Sequence, residues 1–159
     1  MKLSKYFTLE EMVKSQTASR LAIDNTPSYE SLQSMAFLCK EVLDPVRIQF
    51  GKPFSPSSGY RSVDLNRAIG GSETSSHCSG SAADFEVPGV SNLSVANFIL
   101  DNLNFDQLIL EFYDGSPNSG WIHVSLMSKI DSSASSSNRK ESLVYNGCGY
   151  VKGYPDEDY

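Results

Sequence analysis

The amino-acid sequence predicts an α+β domain, a small and mainly antiparallel sheet flanked by helices. Three observations carry that prediction. From Tyr29 to Phe50, apolar residues recur at spacings of three and four (Leu32, Met35, Ala36, Cys39, Val42, Leu43, Val46), the pattern of one amphipathic helix. In the second half, the β-prone runs "FDQLILEFYDG" and "GWIHVSLM" are joined by the turn-forming "DGSPNS", as in an antiparallel hairpin with a long loop. Further on, "LVYNGCGYVKGY" sets Asn146-Gly147 between β-prone residues, a short-hairpin signal.

The other elements follow in chain order. "FTLEEMVKS" carries Thr8 and, three residues on, Glu11, the spacing of a capping box at the start of a short helix. "SRLAIDNTPS" reads as a loop ending in Asn25, Pro27 and Ser28. The long helix is expected to bend near Pro45. "GKPFSPSSGYRS" reads as a short extended run between turns, "VDLNRAIGG" as a helix closed by glycines, and "SAADFEVPG" as a strand ending at Pro88 and Gly89. "SNLSVANFILDNL" has an Asn/Ser cap and helical spacing. A mobile serine-rich loop is expected over 131–140 and a frayed acidic tail over 154–159. At 159 residues the chain fits one domain, 1–159, able to bury a core without disulfide or metal staples.

Composition removes several function classes. Apolar residues at 40% and aromatics at 11% exclude a wholly disordered chain, and no apolar run approaches the roughly 18 residues of a membrane span. Thirteen Lys and Arg against nineteen Asp and Glu give a net charge of -6 with the bases scattered, which argues against a nucleic-acid partner. "MKLSKYFTLEEMVKS" lacks the apolar core and cleavage site of a secretory signal, so synthesis in a cytoplasm is expected. With no exposed apolar stripe, a monomer is the expectation. Cys39, Cys78 and Cys148 are odd in number and lack CxxC spacing, so no disulfide framework or thiolate zinc site is indicated. Cys78 adjoins His77; in an extended segment it would face away from whatever His77 serves.

The chemistry-bearing stretch is "SSHCSGSAADF", with His77 seven residues before Asp84 among small side chains. A catalytic zinc site takes three protein ligands, commonly histidines and a carboxylate, and leaves one position for water. His77, Asp84 and His123 supply that set in a chain with only two histidines. His123 lies in "GWIHVS", where strand alternation puts Trp121, His123 and Ser125 on one face and Ile122 and Val124 on the other. Taken alone, the His77–Asp84 spacing also fits a polar surface loop, and His123 also fits a hydrogen-bonded core histidine.

Three motifs in order extend this. Ser75 to Asp84 matches S-x-H-x-x-G-x-A-x-D; it is preceded by "SGYRS" at 58–62 and followed by "WIHVS" at 121–125. Over residues 50–127 the chain resembles the M15 zinc peptidases, the D-alanyl-D-alanine carboxypeptidase and dipeptidase group, and especially its small single-domain phage and bacterial members. The resemblance implies a hedgehog/DD-peptidase-like fold and one Zn2+ held by His77, Asp84 and His123. It implies that Arg61 binds a substrate carbonyl or carboxylate and steadies negative charge, and that Ser75 hydrogen-bonds substrate or braces the His77 loop. Many relatives carry a catalytic glutamate in an E-x-x-H arrangement, where this chain has Gly120. Glu111, at the end of "DQLILEF", is the replacement that the hairpin suggests, ahead of the turn residues Asp106 and Asp114. The implied activity is hydrolysis of a peptide bond in peptidoglycan stem peptides or crosslinks, by a phage lysin passing through a holin, a virion part or a cytoplasmic dipeptidase. The missing E-x-x-H glutamate supports an alternative, a catalytically silent wall-binding or virion module that keeps the metal.

Overall fold

A computed structural model describes residues 1–128 and 138–154. It is α+β, with a five-stranded sheet in the order β1-β3-β2-β4-β5. The strands are β1 (Ala82–Phe85), β2 (Gln107–Glu111), β3 (Trp121–Ser125), β4 (Glu141–Tyr145) and β5 (Tyr150–Lys152). Every neighbouring pair is antiparallel except β2 and β4, which run parallel. The loop and tail expected at 131–140 and 154–159 lie largely outside the described residues. Among those described, no helix is long and apolar enough to cross a membrane.

Local chemistry explains the helices. Helix α1 (Leu9–Val13) begins with the capping box: Thr8 Oγ1 accepts from Glu11 N, and Glu11 accepts from Thr8 N at 2.9 Å. The loop expected over 19–28 is present from Ala22 onward, but its first three residues close a helix, α2 (Gln16–Leu21). Ser15 Oγ accepts from Ala18 N to start it, and Ala22 in the left-handed region ends it. Six residues are too few for apolar periodicity to show. The long helix is present in three parts: α3 (Tyr29–Leu38), a π-turn over Cys39–Leu43, and α4 (Asp44–Phe50). Pro45 has no N–H to give and its ring crowds the carbonyl four residues back, so the ladder slips just before it and Asp44 N donates to Cys39 O. "GKPFSPSSGYRS" forms no strand; it touches β1 through one bridge, Ser58 to Asp84. Helices α5 (Val63–Ala68) and α6 (Asn92–Asn102) start at Ser62 and Ser91, whose hydroxyls accept from Leu65 N and Ser94 N.

Strand alternation divides the sheet into two faces. Phe85, Ile122, Val124, Leu108 and Leu110 are fully buried in the core with Met35, Leu38, Val42 and Val46 of the bent helix and Val95 and Ile99 of α6. Each such side chain contributes about 1.5–3 kcal/mol by leaving water. The opposite face carries Asp84, His123, Ile109 and Leu143 in one row across β1, β3, β2 and β4. The next row is Trp121, Glu111, Tyr145 and Tyr150.

Asp106, at the foot of β2, is not a free carboxylate. It accepts from Arg139 N at 3.1 Å, Nε at 3.0 Å and a terminal guanidinium nitrogen at 2.9 Å, which joins β4 to the sheet. Burial alone would raise its pKa; the Arg139 bonds outweigh that and hold the carboxyl below the usual range. The resulting stabilisation is present above the unfolded carboxylate pKa and lost as pH falls through the lower folded one. Asp106→Asn is therefore expected to cost about 1–2 kcal/mol at neutral pH, allowing for solvent around Arg139. In urea titrations the gap from wild type should narrow as the pH is taken below the carboxylate range.

Candidate metal centre

The β1–β3 register sets Asp84 directly opposite His123. His123 Nδ1 lies 2.8 Å from Asp84 Oδ1. His77 comes from the 3₁₀ turn Ser76–Ser79 that leads into β1, and its Nε2 is 3.4 Å from the same oxygen. The ligand-capable atoms of all three residues lie within 4.8 Å of one another. His77 and Asp84 are buried and His123 is half-buried.

Each donor is held from behind. His77 Nδ1 is 2.7 Å from the carbonyl oxygen of Gly59, so in the neutral ring Nδ1 carries the hydrogen and Nε2 keeps its lone pair toward the site. Ser75 Oγ accepts from His77 N at 3.3 Å and caps the turn. The turn closes at Gly80, at φ 76°, where an added Cβ would stand 2.4 Å from the Ser31 carbonyl oxygen of α3. Gly80 therefore answers to close packing against a helix. The turn also overturns the extended geometry assumed for Cys78. In a 3₁₀ turn neighbours stand a third of a turn apart, so facing away does not follow. Burial raises the half-buried Cys78 thiol more than Arg61 lowers it, which keeps it a protonated thiol.

Asp84 is the hub. Its backbone is clamped by Asp84 N donating to Ser58 O at 2.8 Å and Ser57 N donating to Asp84 O at 2.9 Å. Oδ1 faces both histidines, while Oδ2 takes Arg61 at 3.4 Å. Burial pushes the carboxyl up, but hydrogen bonds with His123 and His77 prevail and hold it well below the usual range. Two imidazoles and one ionised carboxylate, converging and braced, are a donor set that fits a zinc ion with three protein ligands.

Arg61 spends three of its five N–H groups inside the protein, on Ser58 Oγ (3.0 Å), Asn66 Oδ1 (3.2 Å) and Asp84 Oδ2 (3.4 Å). Its side chain is 15% exposed, so the remaining N–H groups can reach a ligand. Two asparagines that sequence reading passed over build this corner. Asn66 is fixed by donating to Ser72 O at 2.8 Å, and Asn25 holds the "SGYRS" loop through Tyr60 O and Ser62 N. Asn25 lies 37 residues from Ser62 and acts on backbone atoms, so no local pattern marks it.

Glu111 pairs with Trp121 across β2–β3, two residues from the Ile109–His123 pair, which puts it diagonal to His123 on the same face. Burial raises its pKa; the His123 charge opposes this and the Asp84 charge adds to it. Gly120, at the family's E-x-x-H position, sits at φ 65° with its ideal Cβ 1.7 Å from the Glu111 carbonyl oxygen. No side chain fits there, so position 120 is closed to a glutamate by the turn that brings β2 against β3. Asp114 is bound up in its own turn, its Oδ1 accepting from Ser116 N at 2.8 Å, and Asp106 is held by Arg139.

The family described as Peptidase M15 matches residues 5–125. That stretch contains Arg61, His77, Asp84, Glu111 and His123 and stops before β4. No curated protein matches the chain.

Zinc titrated into metal-free protein is expected to bind one per chain. At a free concentration 100 times Kd it should stabilise the fold by about 2.7 kcal/mol. His77→Ala and Asp84→Asn should each abolish the zinc-induced rise in Tm, read by calorimetry alongside the metal content.

Proposed function

The chain belongs to the peptidase M15 family, and we propose that it is a zinc-dependent peptidase hydrolysing a peptide bond in the stem peptides or crosslinks of peptidoglycan. The observation that carries the reading is the convergence of His77, Asp84 and His123 with Glu111 on the same sheet face. Bound zinc would polarise the scissile carbonyl and acidify a water.

The chain's own residues do the rest. Glu111 takes a proton from the attacking water as the water oxygen bonds to the carbonyl carbon, and returns it to the nitrogen as the C–N bond breaks. Its partly buried carboxyl, raised above an ordinary glutamate, suits both halves of that transfer. The two uncommitted N–H groups of Arg61 hold the developing negative oxygen or a substrate carboxylate. Ser75 Oγ, already accepting from His77 N, offers its O–H to a substrate oxygen. The cleft beside Arg61 is lined by Lys14, Ser57 and Tyr60, and the lysine adds a second cation for an acidic peptide end. That chemistry covers both carboxypeptidase and endopeptidase cleavage. The setting we propose is the bacterial wall, reached through a holin or as a virion component.

Gly120 favours one competing reading, a silent wall-binding or virion module that retains the metal. Glu111→Gln separates the two. In a peptidase, kcat on defined muropeptides should fall by about 10²–10⁴ with zinc content unchanged; a binding module would show no turnover to lose. Chelator should abolish product in mass spectra, and full activity in metal-free protein would overturn the proposal. Since the base must be ionised, kcat/KM should rise with pH as Glu111 loses its proton, and this limb should vanish in Glu111→Gln.

A further inference from the structure

Beside the metal centre lies a row of aromatic rings for which the hydrolytic chemistry has no use. Trp121, Tyr145 and Tyr150 share a row of the sheet with Glu111, one on each flanking strand and one on the edge strand. Phe112, the residue after Glu111, joins them: its ring centroid is 5.1 Å from that of Trp121 and 5.1 Å from that of Tyr145, and Tyr145 lies 4.7 Å from Tyr150. The rings thus form a continuous strip running from the metal-site strand to the sheet edge. They are not core. Phe112 is 49% and Tyr150 60% exposed, and the strip is absent from the main apolar cluster.

The strip is also held at a cost. Phe112 has φ 53°, a conformation unfavourable for a bulky residue, and glycine would adopt it freely. The strained backbone turns the ring onto Trp121 and Tyr145 and leaves about half of it open to solvent. Half the strip, Tyr145 and Tyr150, belongs to the β4–β5 hairpin, beyond the residues matched to the family.

We propose that this strip is a docking surface for the sugar rings of the glycan strand that carries the stem peptide. This rests on the peptidoglycan reading above and extends it to the carbohydrate. Flat, neutral rings with amphipathic tyrosine edges suit the C–H face of a pyranose, and the 86° turn between Phe112 and Tyr145 presents them at two inclinations. The row's one charged group is Glu111, and the adjacent row of the same face ends in Lys152, two residues beyond Tyr150. The four rings themselves are uncharged, which matches an uncharged N-acetyl sugar. Continuity with Glu111 places the sugar beside the peptide bond to be cut.

Trp121 is the chain's single tryptophan, so its fluorescence reports on the strip directly. The probe is a β-1,4-linked N-acetylglucosamine tetramer, titrated into metal-free protein so that the readout needs neither zinc nor turnover. A saturable change is expected. Tyr150→Ala and Phe112→Gly should each weaken it about three- to tenfold. Phe112→Gly relieves the backbone strain while removing the ring, so a folded, weakened variant assigns the effect to the ring. No saturable change with the tetramer would overturn the proposal, as would unchanged affinity in both variants or an equal response to a sugar-free stem peptide. Sugar binding without peptide cleavage would sustain this inference while defeating the peptidase reading; cleavage without sugar binding would do the reverse.

Discussion

Whether this chain has a metal site depends on the register between β1 and β3. A strand alternates its side chains, so slipping β1 by one residue would turn Asp84 toward the core while His123 stayed on the opposite face. An ionised carboxylate among Ile122, Val124 and the helices behind them would then lack any partner, at a cost of several kcal/mol, and Phe85 would leave the core. The register is held at both ends. Leu126 N donates to Ser81 O at one side of the pair, and the Ser57–Ser58 segment bonds to Asp84 at the other. Arg61 and the Gly59 carbonyl act on what that register provides, by taking Asp84 Oδ2 and His77 Nδ1 and so turning Oδ1 and Nε2 inward.

The same hairpin geometry accounts for the glycine at position 120. Gly120 lies on the Glu111 carbonyl because β2 and β3 meet there in a tight approach, and any side chain at 120 would force them apart. That approach also sets Glu111 diagonal to His123. The obstacle is backbone, so this turn excludes a side chain at 120 whatever residue stands at 111, and the carboxylate present on that face is Glu111.

Much of this was legible in the sequence. The capping box at Thr8, the apolar spacing of α3 and α4 and the alternation in β3 each express a local rule, and each appears in the structure. His77, Asp84 and His123 stood out because the chain holds only two histidines and one sits on a strand with a polar face. What stayed hidden was either short or distant. Helix α2 is six residues started by one serine, the turn carrying His77 is four residues of 3₁₀ helix, and the parallel pairing of β4 with β2 depends on a connection that no local pattern describes. Asn25 and Asn66 bond to backbone and side-chain atoms of other loops, so their identities matter only once the fold has brought those loops together.

X-ray absorption at the zinc edge of the metal-loaded protein bears most directly on the account, because it reads donor identity without relying on activity. Two imidazole nitrogens and a carboxylate oxygen are expected at about 2.0–2.2 Å, with a further light atom completing the shell. A sulfur at about 2.3 Å would show that Cys78, one residue from His77, has taken a ligand's place. That result, or a shell with fewer than two imidazoles, would contradict it.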